Sequence, residues 1–155
     1  MPTPLEQVLP LIQGFRRPLV FTNGAFRLFH YGHLSCLREA ASQGRCLVVG
    51  INSDASLAAL GREPLQTAEQ RAAVVEAMLK TWQCTYVVLF HEPTPEKLIE
   101  LLRPDVLVKG GDYAGQEIVG GEFVRSYGGR VQFTRYVEGL STTSLVSGTV
   151  ARKPR

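Results

Sequence analysis

The succession of apolar runs and helical patterns predicts an α/β fold: a doubly wound, five-stranded parallel sheet with helices on both faces. Three observations carry that expectation. Short β-rich runs alternate with segments of helical periodicity, the pattern of parallel strands joined by helical crossovers. Residues 46–51 form an almost unbroken apolar run, as in a strand covered on both sides. Polar or glycine-rich clusters follow the strands or their connections, and such sheets bind ligands outside the carboxyl ends of their strands.

Each element has its own signals. Residues 19–22 read as the first strand, and residues 34–43 as a helix with Gly44 as its stop. After the second strand, Ser53 or Asp54 can cap a short helix reaching Leu60. Residues 61–65 form a loop. Thr67 and Gln70 have capping-box spacing, and Ala73, Val74, Ala77 and Met78 make the apolar stripe of a helix over 67–80. Residues 85–90 are the third strand. Thr94 as cap and Pro95 at the first helical position open the next helix, which ends near Arg103 and Pro104. Residues 105–108 are the fourth strand and 109–113 the loop leaving it. A helix over 116–127 stops at Gly128 and Gly129, residues 130–133 form strand five, and a last helix begins at Ser141.

Bulk properties bound the function. The 155 residues suit one domain, with a core over about 15–148 and a basic tail over 149–155. A net charge of +3 is too small to indicate nucleic acid, and the basic residues cluster only in that tail, which reads as a solvated terminus. Cys36, Cys46 and Cys84 match no metal-ligand spacing and read as small buried thiols in a reducing compartment. No metal site is expected in the protein itself. The start of the chain has no signal-peptide pattern, and no apolar run approaches the ~20 residues of a membrane span. A cytoplasmic protein with no membrane or nucleic-acid partner is expected.

The most informative segment is 21–33. It is a strand end, a glycine turn, and two histidines three residues apart where a helix begins. Residues at that spacing share one helix face. His30 and His33 would sit beside free backbone N–H groups and the positive end of the helix dipole, an arrangement suited to phosphate. The segment points to phosphoryl or nucleotidyl chemistry, in which donors stabilise charge that grows in the transition state. Gly24 gives the backbone freedom to turn and approach a nucleotide, so that N–H groups around Ala25 and Phe26 face phosphate; Phe26 itself reads as core. Lys109 leaves a buried strand and precedes Gly110 and Gly111. It is either a phosphate-binding cation or a lysine snorkelling from a strand end. Asp112 is either a hydroxyl acceptor for ribose or sugar or a turn aspartate. Ser141, Thr142 and Thr143 read as phosphate-facing hydroxyls or as a plain helix cap. Asn52 and Asp54 stand at the mouth of the second strand, where turn chemistry is the alternative. Arg71 lies in the first turns of a helix, where a cation opposes the dipole unless it has a partner.

Residues 23–26 with His30, Gly32 and His33 resemble the signature of the cytidylyltransferase-like nucleotidyltransferases. Residues 48–56, 103–113 and 138–143 are more specifically similar to the adenylyltransferase domain of ADP-heptose synthases, and the resemblance covers roughly residues 15–148. It implies a Rossmann-like HxGH nucleotidyltransferase fold. It further implies transfer of AMP from ATP to a sugar 1-phosphate, such as D-glycero-β-D-manno-heptose 1-phosphate, with release of pyrophosphate. Mg²⁺ would accompany ATP. The resemblance implies that His30, His33 and Lys109 are catalytic. Thr22, Asn23, Gly24, Ala25, Phe26, Gly110, Asp112 and Ser141 to Thr143 would meet nucleotide, and Asn52, Asp54, Arg62 and Arg71 the acceptor. A homodimer, and a separate sugar kinase upstream, are expected on the same basis. A cytidylyltransferase acting on glycerol 3-phosphate or a similar alcohol phosphate, and a non-catalytic nucleotide-binding protein, are the alternatives.

Two departures stand out. Arg27 occupies a position where the family usually has aspartate, within the signature itself, so it either contacts phosphate or leaves a loop-anchoring hydrogen bond unmade. The loop over 60–65 is shorter than usual, with Arg62 as a replacement for a customary lysine. Ala25 replaces a frequent cysteine, a milder change.

Overall fold

The computed structural model describes residues 2–14 and 16–135. The last helix expected from Ser141, and the basic tail, lie outside the described residues. Five strands form one all-parallel sheet: β1 Leu19–Gly24, β2 Cys46–Asn52, β3 Thr85–Phe90, β4 Val106–Lys109 and β5 Arg130–Phe133. The spatial order is β3-β2-β1-β4-β5. The chain steps outward from β1 to β3, then returns to the other side of β1 to lay down β4 and β5. The order therefore reverses between β1 and β4, and the rim above that reversal is where the topology leaves a crevice.

Among the described residues, six helices accompany the strands: α1 Leu5–Gln13, α2 Tyr31–Ala41, α3 Asp54–Ala59, α4 Ala68–Leu79, α5 Glu96–Leu102 and α6 Gly121–Ser126. Alternation along the strands splits the core into two layers. Leu19, Phe21, Val48, Val88 and Leu107 pack with Val8 and Ile12 of α1, Leu98, Ile99 and Leu102 of α5, and Val124 of α6. Val20, Leu47, Val49, Ile51, Val87 and Val108 pack with Leu37 and Ala40 of α2 and Ala72, Val75 and Leu79 of α4. Each aliphatic or aromatic side chain fully buried in this way contributes about 1.5–3 kcal/mol. The sheet is covered on both faces, as expected. Among the described residues, no helix is long and apolar enough to cross a membrane.

Several boundaries differ from the expected ones. Helix α1 was not foreseen; Pro4 stands at its cap and Pro10 inside it. Helix α2 begins at Tyr31, three residues earlier than expected, because His30 and His33 supply its first-turn hydrogen bonds. Helix α5 starts one residue late, with Pro95 rather than Thr94 at the cap position and no side-chain cap. The helix expected over 116–127 shrinks to α6. A short 3₁₀ turn, Gly111–Tyr113, precedes it, and Gly115 and Gly120 adopt φ values of +84° and +82° that interrupt helical backbone.

Gly44 does not stop α2, which ends at Ala41 with Ser42 capping it in right-handed conformation. Gly44 is instead where the chain passes under Pro18 on its way into β2. A Cβ at position 44 would lie 2.5 Å from the Pro18 carbonyl oxygen and 2.7 Å from a Val20 methyl. Gly44→Ala is therefore predicted to destabilise the fold by about 1–3 kcal/mol, the usual range for overpacking. An unchanged urea midpoint for this variant would contradict the prediction.

Candidate active site

A cleft of about 710 Å³ opens over the carboxyl ends of the strands. Its lining includes Thr22, Asn23, Gly24, Ala25, Phe26, Arg27, His30, His33, Asn52, Arg62, Lys109, Gly110 and Asp112. Most of the segments singled out from the sequence thus converge on one rim. Asp54 and Arg71 stand apart from the lining, and Ser141, Thr142 and Thr143 lie outside the described residues.

The two histidines share one construction. The Gly32 N–H donates to His30 Nδ1 at 3.0 Å, and the His30 N–H donates to His33 Nδ1 at 3.3 Å. Their rings stack with centroids 3.9 Å apart, and Phe26 and Phe29 flank His33 at 4.9 and 5.4 Å. Burial lowers the pKa of His30. Burial, then the charge of His30, holds His33 down at about 4. Both rings are therefore chiefly neutral at pH 7. Because each Nδ1 accepts a backbone N–H, each neutral ring carries its proton on Nε2. The result is two neutral donors rather than two cations.

The unusual turn backbone expected of Gly24 falls on Phe26 instead. Gly24 is the last residue of β1 and has no left-handed backbone; Phe26 does, with φ +49°. Such a φ is unusual for a side chain of this size. Glycine at position 24 makes room for the Phe26 ring, which would stand 3.1 Å from a Cβ there. Phe26 is core, being 7% exposed.

Across the strand-order reversal, Lys109 Nζ donates to Asn23 Oδ1, joining the ends of β4 and β1. Beneath this pair, the Thr22 hydroxyl donates to the Val108 carbonyl at 2.9 Å. Lys109 also lies 5.8 Å from the Tyr113 ring centroid. Burial brings its pKa down to about 8, opposed by Cys36 and Asp112. The carboxylate of Asp112 folds back over Gly110, where a Cβ would lie 2.7 Å from its Oδ1.

Arg71 corrects the sequence-based expectation. It is 1% exposed, too deep to meet an acceptor from solution. Its Nε donates to the Gln66 carbonyl at 3.1 Å, and its Nη1 donates to the carbonyls of Ala25 and Asn52, each at 2.7 Å. Its Nη2 donates to Asp54 Oδ1 at 2.8 Å. The guanidinium thus ties the loop after β1 to the end of β2, the start of α3 and the entry of α4. Asp54 is its counter-ion, an ion pair placed where the sequence suggested two separate acceptor contacts. Asn52 remains in the lining, but its amide donates to Ser56 Oγ at 2.9 Å.

Arg27 makes an anchor after all. Its Nε donates to the Glu63 carbonyl at 2.8 Å, and Gln66 Nε2 donates back to the Arg27 carbonyl at 3.4 Å. Cys36, Tyr113, Thr134 and Arg135 also line the cleft without having been foreseen there. Cys36 had a signal: it continues the three-residue spacing of His30 and His33 along α2. Burial raises its pKa, so it stays a thiol.

The cytidylyltransferase-like family matches residues 21–151. The chain belongs to that family. It is accordingly a nucleotidyltransferase. It is 51% identical over 137 residues to the bifunctional protein HldE of Geobacter sulfurreducens, covering 86% of this chain and 27% of that protein. It is 45% identical over 148 residues to the bifunctional protein HldE of Pseudomonas aeruginosa, covering 92% and 30%. The chain thus spans about a third or less of the length of these relatives. Among solved structures, a lipopolysaccharide core biosynthesis protein from Thermoplasma volcanium superimposes with a TM-score of 0.64 at 24% identity, over 77% of this chain and 98% of that one. A pantoate-beta-alanine ligase from Francisella tularensis gives 0.61 at 13% identity, over 96% and 77%. Both support the fold alone.

Two predictions follow from the cations. Removing Arg71 takes the donor from the buried Asn52 carbonyl and from the part-buried carbonyls of Ala25 and Gln66, so Arg71→Ala should cost about 1–3 kcal/mol of stability in urea unfolding, the range for leaving a buried acceptor unsatisfied. A loss below 1 kcal/mol would mean that water replaces the guanidinium freely. Lys109 is charged below its pKa of about 8 and neutral above it. Binding of a non-hydrolysable ATP analogue should therefore weaken as pH rises from 7 to 9. Titration calorimetry on Lys109→Met should show that alkaline weakening gone; its persistence would assign the effect to another group.

Proposed function

We propose that this chain is an adenylyltransferase. It moves AMP from ATP to a sugar 1-phosphate, with D-glycero-β-D-manno-heptose 1-phosphate the acceptor, and releases pyrophosphate. The carrying observation is the pair of Nε2–H donors at the start of α2 sharing one cleft with the Lys109 ammonium at the end of β4. The heptose acceptor rests on the resemblance to ADP-heptose synthases, and the identity to HldE proteins supports it.

The chemistry asks for placement and charge neutralisation more than for covalent help from the protein. An oxygen of the acceptor phosphate attacks the α-phosphorus. The bond from that phosphorus to the α,β-bridging oxygen breaks, and its electron pair leaves with pyrophosphate. In this reading His30 and His33 donate from Nε2 to the phosphate oxygens on which charge accumulates. Preorganised donors suit this task, because their hydrogen bonds strengthen as the acceptor oxygen becomes more anionic. Lys109 neutralises charge on the leaving side, held in place by Asn23. Magnesium accompanying ATP would supply further neutralisation of the triphosphate charge. Asp112, on the glycine turn, accepts from nucleotide or sugar hydroxyls.

The test is a pyrophosphate-release assay that pairs ATP and CTP with a panel of sugar 1-phosphates and with glycerol 3-phosphate. Release with ATP and the heptose phosphate is expected. Preference for CTP and glycerol 3-phosphate would replace this reading with the cytidylyltransferase one. Binding of ATP with no release from any acceptor would make the chain a binding module. His30→Ala and His33→Ala are each predicted to lower turnover by ~10²-fold or more, the cost of losing one preorganised donor to a developing oxyanion. Wild-type turnover in both would remove the imidazoles from the mechanism.

A further inference from the structure

The three cysteines do not share one environment. Cys36 lies in the layer of α2 and α4, while Cys46 and Cys84 lie together in the opposite layer. Cys46 is the first residue of β2, and Cys84 immediately precedes β3. These strands are parallel neighbours, with Leu47 paired to Thr85 and the Leu47 N–H donating to the Cys84 carbonyl at 3.0 Å. The two cysteines thus stand one step before the first pair of the ladder, side by side. The Cys46 thiol donates to Cys84 Sγ, and so does the Tyr86 hydroxyl. Neighbouring strands run roughly 4.8 Å apart, within the roughly 4.4–6.8 Å that a disulfide spans between Cα atoms. The two sulfurs differ in access. Cys46 is 3% exposed, whereas Cys84 is half-buried. Burial raises the pKa of Cys46, so that thiol keeps its proton. Cys84 adopts φ +55°, a left-handed backbone unusual for a residue with a side chain. Such outliers persist where the surroundings over-determine them, and they cluster at functional positions. The positive charge of Arg16 reaches Cys46 and Tyr86, the two groups that touch the Cys84 sulfur.

We infer that Cys46 and Cys84 are a thiol–disulfide couple, which on oxidation pins the amino ends of β2 and β3 together. The oxidant is a low-molecular-weight disulfide, RSSR. Cys84, the accessible member, loses its proton to water and attacks one sulfur of RSSR. The S–S bond of the oxidant breaks, and RS⁻ leaves and takes up a proton. Cys46 then attacks Cys84 Sγ in the mixed disulfide, and its proton goes to the second departing RS⁻. Two protein thiols and one RSSR thus give one protein disulfide and two RSH; the protein loses two electrons and the oxidant gains them. Cys46 already touches Cys84 Sγ, so the closing step needs no shift of strand register. The couple lies at the amino ends of the strands and the cleft at their carboxyl ends, so closing the bridge touches no group of the candidate active site.

The experiment exposes the full chain to glutathione disulfide, quenches it with acid, alkylates the remaining thiols and reads the intact mass and the linked peptides. A chain lighter by two hydrogen atoms, with Cys36 alkylated and a peptide pair joined through Cys46 and Cys84, is expected. Dithiothreitol should reverse it. Cys46→Ala should stop at the mixed disulfide, with glutathione held on Cys84. Cys84→Ser should leave Cys46 a free thiol. The urea midpoint of the oxidised wild-type chain should exceed that of the reduced chain, because the bridge restricts the unfolded state. The inference is overturned if no bridge forms, if either cysteine pairs with Cys36, if glutathione settles on Cys46, or if oxidation fails to raise the midpoint. Should Cys46→Ala fail to fold, the peptide map and midpoint of the wild-type chain still decide the matter.

Discussion

The site depends on one buried guanidinium. Arg71 is enclosed, yet its charge is met by one carboxylate and three carbonyl oxygens drawn from different segments. A cation near a helix start is unfavourable by itself, because it opposes the positive end of the dipole. Here the side chain leaves the axis of α4 and ends among the negative poles of loop peptides. Those peptides belong to the loop after β1, the end of β2 and the approach to α4. Buried carbonyls need donors, and the guanidinium supplies several in one rigid plane. The sheet places the loops roughly; Arg71 and Asp54 fix their spacing.

The cleft that results separates two electrostatic tasks. Neutral imidazoles occupy the start of α2, while charged groups occupy the flanks. Burial accounts for this, since it disfavours the protonated ring for His30 and His33 and lowers Lys109 only as far as about 8. A donor without formal charge binds a resting phosphate weakly and a transition state more tightly, which is the sense in which differential binding accelerates a reaction. The full charges sit where a substrate must be captured and held.

Much of this was legible from residue order. The apolar run at β2, the alternation of strands with helices and the clustering of polar residues after strands required the sheet and located its functional rim. The signature at 21–33 identified the cleft, because glycine, histidine spacing and a preceding strand act together. What escaped notice was long-range. Nothing local to Arg71 indicates that its partners lie at Ala25 and Asn52, 46 and 19 residues away. Similarly, a glycine at position 24 reads as conformational freedom, whereas the fold uses its missing side chain to seat Phe26 and places the strained backbone there instead. Helix α1 was hidden by its prolines, and the segment before α6 by glycines whose positive φ no pattern announces. Residues whose role is set by distant neighbours are the ones a linear reading assigns to the wrong task.

The histidines carry one last consequence. Each ring spends one nitrogen on the backbone of the first turn of α2 and has the other left for the cleft. Architecture and reactivity are therefore wired to the same two side chains. If that turn frayed, both rings would swing away and lose their fixed tautomers together, so a loosened helix and a disarmed enzyme would be a single event.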